Sequence, residues 1–166
     1  TLSTLPAGVY VVREESVPEP YVLSHTEQTV ALRPGKTSEV RFQDYQKPGL
    51  EILKKNIATG EPIEGVTYLI EQIDGSFSTS ATTDNHGRIF LESIPVGSYK
   101  VTEINVPDHV ILSEIPQEVH LEAGCTRTVT FFNAVKPSLT ILKRNSITGD
   151  VLANAKFHIY YGSDNT

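Results

Sequence analysis

The sequence predicts an all-β chain built as a tandem array of one small β-sandwich, and three observations predict it. The first is self-similarity: residue n aligns with residue n+89 without a gap from Leu5/Ile94 to Gln72/Tyr161, with 26 identities in 68 pairs. The second is alternation of apolar residues with a period of two in short runs, with no run long or periodic enough for a helix. The third is turn chemistry: clusters of Gly, Pro, Asn and Asp close these runs at roughly 8–12 residue spacing, which is the punctuation of a sandwich.

A period of 89 residues is one domain, longer than a solenoid unit of roughly 20–50 residues. Its phase divides the chain. Residues 48–136 make one complete repeat, residues 1–47 match only its second half, and residues 137–166 match only its first. The two partial copies together lack the equivalents of Ser78–Ile89, so neither end of the sequence is expected to be a domain boundary.

Within the complete repeat, Leu50-Glu51-Ile52-Leu53-Lys54 alternates as a first strand, Asn56 to Glu61 with Gly60 turns, and Val66-Thr67-Tyr68-Leu69-Ile70 resumes as a second. Asp74-Gly75, Asp84-Asn85-His86-Gly87, Pro95-Val96-Gly97 and Ala123-Gly124 then separate further short strands. Tyr99, Val101 and Glu103 share one face of a later strand, and Val129, Phe131 and Asn133 share one face of the last. About seven strands result.

Composition sets limits on function. With 39% hydrophobic residues and neither Met nor Trp, one period buries only a modest core. A net charge of −6 without clustered Lys or Arg argues against nucleic acid and against an anionic membrane surface. No run approaches the ~20 apolar residues of a membrane span. The single cysteine, Cys125, aligns with Lys36 and reads as a free surface thiol. His25, His86, His109, His120 and His158 lack metal-ligand spacing, and Asp84-Asn85-His86-Gly87 lacks the further acids of a calcium loop and reads as a β-turn. No nucleophile elbow, phosphate loop or zinc signature is present, so no cofactor, no metal and no turnover of an external substrate are expected.

Three polar residues stand where the alternation calls for apolar ones. Lys54 continues the face of Leu50 and Ile52, Glu103 follows Tyr99 and Val101, and Asn133 follows Val129 and Phe131. Burying a lysine and a glutamate unpaired costs several kcal/mol each, about enough to unfold a small domain. Desolvation favours the neutral amine and the protonated acid. A neutral Lys54 amine can attack the side-chain carbonyl of Asn133 while protonated Glu103 polarises that carbonyl and shuttles protons to departing ammonia. The product is a Lys–Asn amide and the buried charge is gone.

Leu-x-Ile-Leu-Lys54, the following Thr-Gly-x-Pro-Ile-x-Gly, the Thr83-Asp84-x-x-Gly87 turn, Gly97-x-Tyr99-x-Val101-x-Glu103 with Val106-Pro107, and Val129-Thr130-Phe131-Phe132-Asn133 together resemble the CnaB-type domains of Gram-positive surface adhesins and pilins, also called SpaA-type or prealbumin-like. The resemblance implies a seven-stranded reverse-immunoglobulin-like sandwich in which an autocatalytic isopeptide bond joins the first and last strands. Carried over by position, Lys54 and Asn133 are the bonded pair and Glu103 the catalytic acid. In the leading fragment Glu14 is the acid and Asp44 the acceptor, their lysine lying outside the fragment or on another chain. In the trailing fragment Lys143 is the lysine, its partners lying outside the fragment or on another chain. Pro18-Glu19-Pro20-Tyr21 and Pro107-Asp108-His109-Val110 lack the glycine that the family often carries after this proline, a departure confined to a loop.

The implied function is a structural stalk or spacer repeat of an adhesin or pilus protein, extracellular on the bacterial cell surface or wall, with neighbouring repeats as partners. Two alternatives stand beside it. The loop Val106–Glu114, with its Val110-Ile111-Leu112 run, is the best candidate for an adhesive surface toward a host protein or glycan, although packing explains the run more simply. The half-repeats at the two ends are also suited to head-to-tail assembly of copies, crosslinked as Lys143–Asp44.

Overall fold

The structure is a computed structural model that describes residues 2, 4–160 and 162; the parts of the two end fragments that fall on residues 1, 3, 161 and 163–166 lie outside the described residues. The chain divides into two units, Thr1–Val135 and Lys136–Thr166.

The first unit holds nine strands and no helix among the described residues. β1 (Gly8–Arg13) and β2 (Glu27–Leu32) form an antiparallel pair. β3 (Gly49–Asn56), β4 (Thr67–Gln72), β5 (Ser78–Thr82), β6 (Arg88–Leu91), β7 (Gly97–Asn105), β8 (Gln117–Leu121) and β9 (Thr126–Asn133) form the complete domain. They arrange as a three-stranded sheet in the order β6-β3-β9 and a four-stranded sheet in the order β5-β4-β7-β8. This is the seven-strand sandwich that the alternation predicts. The second strand begins at Thr67, one residue after the expected Val66.

The pairing of β3 decides the architecture. It is antiparallel to β6 and parallel to β9, with Gly49 opposite Thr126 and Asn56 opposite Asn133, so the first and last strands of the domain lie side by side. Parallel neighbours need a long crossover, and here the whole domain supplies it. Leu50, Ile52, Val129 and Phe131 face Tyr68, Ile70, Tyr99, Val101 and Leu121 from the opposite sheet to form the core. The Tyr68 and Phe131 rings meet with centroids 4.8 Å apart. In the loop Val106–Glu114 only Val110 joins this core; Ile111 is 50% exposed and Leu112 40%, so packing accounts for one residue of that run.

Turns follow the expected chemistry. Asp84 Oδ1 accepts the backbone N–H groups of His86 and Arg88, and Gly87 at φ 66° completes the bend. Gly87 also accepts from the Lys54 N–H at 2.7 Å through its carbonyl. A Cβ at Gly87 would collide with the Lys54 carbonyl oxygen and lie 2.9 Å from Pro62 Cβ, besides forcing an unfavourable backbone. Gly87→Ala is therefore expected to destabilise the domain by about 2 kcal/mol or more and to displace the strand that carries Lys54. Chemical denaturation with a midpoint equal to that of the unmodified chain would contradict this.

The sequence repeat recurs in local geometry. Tyr10 donates to the Pro6 carbonyl at 2.9 Å as Tyr99 does to Pro95 at 2.8 Å. The Val22 N–H donates to Tyr45 as Ile111 does to Ala134. In the second unit the turn after Lys143 repeats the one after Lys54: Gly149 donates to Asn145 as Gly60 does to Asn56, and Leu152 to Lys143 as Ile63 to Lys54. Asn154 takes φ 59° where Gly65 takes 80°, a conformation that asparagine tolerates better than most residues.

Candidate functional site

Three strands bring Lys54, Glu103 and Asn133 together. Each occupies the inward position of its strand next to apolar neighbours, and they are only 1%, 3% and 3% exposed. Lys54 comes from β3 and Asn133 from the end of β9, two residues beyond Phe131, which stands opposite Lys54 in the parallel register. Glu103 comes from β7 in the facing sheet, opposite Tyr68 of β4. A register shift between Thr67 and Tyr68 interrupts the β4–β7 ladder beside this pair, the kind of irregularity that re-aims side chains.

Glu103 is the hub. Its Oε2 accepts from Lys54 Nζ at 2.6 Å and from the Tyr68 hydroxyl at 3.1 Å. Its Oε1 accepts from the Ser113 N–H at 3.0 Å and from Asn133 Nδ2. Four donors around one carboxyl make a pocket suited to the carboxylate form. The Asn133 carbonyl oxygen is buried without a hydrogen-bond partner. The expected hydrogen bond from a protonated Glu103 to that carbonyl is thus not the one present; Asn133 shows its NH2 face to Glu103. A half-turn of the amide would exchange the two faces and give the orphaned oxygen a donor once Glu103 holds a proton.

Burial pushes the Lys54 amine below the usual lysine range, against the opposing pull of Glu103. Tyr68 is pushed up by burial and by the nearby Glu103, so its hydroxyl stays protonated as a donor. The Phe131 and Tyr68 rings flank Lys54 Nζ at 5.8 and 6.0 Å and exclude water. If Asn133→Ala leaves the amine unmodified, the sign of a pH effect follows. A lysine whose folded pKa is depressed binds fewer protons folded than unfolded, so stability rises with pH across the window below the ordinary value of about 10.4. Denaturation of Asn133→Ala at a series of alkaline pH values is expected to show that rise; a fall through the window would refute it.

The partial copies place their counterparts separately. Glu14 and Asp44 lie in the first unit with their carboxyls adjacent. One oxygen of each, Glu14 Oε2 and Asp44 Oδ1, is buried with no hydrogen-bond partner. Glu14 is raised above the usual carboxylate range by desolvation and then by Asp44. Lys143 lies in the second unit, exposed to solvent.

Two participants escape sequence reasoning. Tyr68 reads as a core aromatic, since it alternates with Val66 and Ile70, and nothing local marks its hydroxyl. Ser113 contributes a backbone N–H, which leaves no side-chain signal at all.

The sequence pattern of the family described as the SpaA prealbumin-like fold domain matches residues 48–135. A search of curated proteins finds no match. Among solved structures, the chain is similar to the TIE protein of Bacillus anthracis, with TM-score 0.52 and 23% identity over 80% of this chain and 25% of that one. It is similar to GBS52, the minor pilin of Streptococcus agalactiae, with TM-score 0.51 and 18% identity over 86% of this chain and 66% of that one. It is also similar to the pilus 2b backbone protein of group B streptococcus, with TM-score 0.51 and 16% identity over 75% and 52%. The chain thus spans between a quarter and two thirds of these structures. At such identities the likeness is one of fold.

Proposed function

The chain belongs to the SpaA prealbumin-like domain family, and on that premise we propose that residues 48–136 are a load-bearing stalk module of a Gram-positive surface protein, closed by an isopeptide bond between Lys54 and Asn133. The observation that carries this reading is the buried Lys54–Glu103–Asn133 cluster, in which one carboxylate touches both the amine and the amide that would be joined.

The chemistry balances within the cluster. A proton passes from the Lys54 ammonium to Glu103 Oε2 over 2.6 Å, leaving a neutral amine and a neutral acid. Desolvation favours this neutral pair over the ion pair. The amine nitrogen attacks Asn133 Cγ while Glu103 donates a hydrogen bond to the carbonyl oxygen. Proton transfer through Glu103 from the former amine to the amide nitrogen lets the C–N bond break. Ammonia leaves, a Lys–Asn amide remains, and Glu103 ends protonated. Tyr68 and Ser113 hold the carboxyl in place during these transfers.

The module turns over no substrate; it modifies itself once. Its setting is extracellular, on a pilus or a wall-attached adhesin, flanked by further copies of the repeat of which residues 1–47 and 137–166 are parts. The intact mass of the purified chain under denaturing conditions tests the bond. A mass one ammonia below the sequence value is expected, and the full sequence mass would overturn the reading.

A further inference from the structure

Residues 37–44 match β9 at Thr37/Thr126, Val40/Val129 and Phe42/Phe131, yet they form no strand. Residues 139–143 match β3 at Leu139/Leu50, Ile141/Ile52 and Lys143/Lys54, and they form no strand either. The complete domain supplies the reason. There β9 pairs with β3 and with nothing else, so each of these segments lacks the one partner that would make it a strand. The same holds across the other sheet: β7 is held between β8 and β4, whereas its counterpart β1 pairs only with β2 among the described strands, leaving one edge open. The counterpart of β4 lies in the second unit, beginning at Lys156.

The apolar and polar inventories of the two segments also complement one another. Leu139 is 71% exposed and Ile141 42%, where Leu50 and Ile52 are fully buried. Lys143 is exposed, while Glu14 and Asp44 hold two buried carboxyl oxygens with no donor. The equivalents of Ser78–Ile89, missing from the pair of fragments, cover β5 and the start of β6. Both are edge strands, so the strands that carry the core are all present.

We propose that residues 8–44 of one copy are a docking surface for residues 137–160 of a second copy. Residues 139–143 run parallel to 37–44 and seat Lys143 against Glu14 and Asp44. This rests on the proposed chemistry of the complete domain, extended to a site assembled from two chains. At that site the Lys143 nitrogen bonds to Asp44 Cγ and an Asp44 oxygen leaves as water. The ammonium supplies one proton to Glu14 and one to the departing oxygen, and Asp44 contributes the proton that it shares with Glu14. The occupant is a second copy because the repeat assigns every docking residue a buried counterpart in the complete domain.

The full chain is to be held at increasing concentration and then analysed by sedimentation and by intact mass in denaturant. Linked species are expected, lighter than the summed chains by one water per junction. They are absent in Lys143→Ala and in Ile141→Asp, both at exposed positions, and present in Lys54→Ala. Chains that remain single in denaturant at every concentration would overturn the proposal, as would a single chain that has lost one water by closing on itself. The Lys54–Asn133 bond is read separately as ammonia lost from each chain, so failure of one reading is distinguishable from failure of the other.

Discussion

Glu103→Ala is expected to leave the chain at its full sequence mass and to lower its melting midpoint by roughly 20–30 °C. The two losses have one origin. Without the carboxyl, Lys54 has no acceptor for its proton and the Asn133 carbonyl has no acid to polarise it, so the bond does not form. An open loop of about 80 residues then returns to the unfolded ensemble entropy worth about 4–5 kcal/mol, by the argument used for a disulfide of that span. Lys54 also remains as a buried amine that has lost its Glu103 contact. Removing one partner of a buried pair costs about 3–5 kcal/mol, part of which the amine recovers by staying neutral. At about 4–8 °C per kcal/mol for a domain of this size, the sum sets the expected shift. Glu103→Gln separates the two terms, because its amide oxygen still accepts from Lys54 while proton transfer is lost; it is expected to be unlinked yet more stable than the alanine variant. Calorimetry alongside intact mass makes the measurement. A Glu103→Ala chain that melts with the unmodified protein would remove Glu103 from both roles.

What the sequence made legible divides by the range of the interaction. Alternation is local, so the inward faces of β3, β7 and β9 could be read with their polar members Lys54, Glu103 and Asn133 in place. That three such residues oppose the hydrophobic pattern is itself a signal, since an unpaired buried charge is too costly to be left alone. The contacts that complete the site were hidden because they depend on register between strands distant in sequence. Tyr68 reaches Glu103 across an irregular ladder, and Ser113 arrives from a loop that follows β7. The run Val110-Ile111-Leu112 shows the same limit. Its residues look equivalent as hydrophobes, but a bridge from Val110 to Val135 and a hydrogen bond from Ile111 to Ala134 fix an extended segment that turns only Val110 into the core. Residues 37–44 give the converse lesson: a segment with the residues of a strand stays irregular where the partner strand is absent from its side.

Under tension the largest difference is expected between the unmodified chain and Lys54→Ala. Force applied to the complete domain enters at the start of β3 and leaves at the end of β9. These strands are parallel neighbours in register, so opposite pulls shear one along the other and load their hydrogen bonds together rather than one at a time. In Lys54→Ala that ladder is the only resistance at this point, and once it fails the chain between positions 54 and 133 is free to extend. At about 3.3–3.6 Å per residue this releases a contour on the order of 270 Å in one step. With Lys54 joined to Asn133, force passes from β3 to β9 through a covalent amide, and the five strands between them carry none of it. Single-molecule stretching of the full chain from its two ends, with the partial copies common to both variants, is expected to show that step in Lys54→Ala and not in the unmodified chain. A step of the same length in both would mean that the load runs through hydrogen bonds alone, and a stalk built from such modules would then lengthen under load.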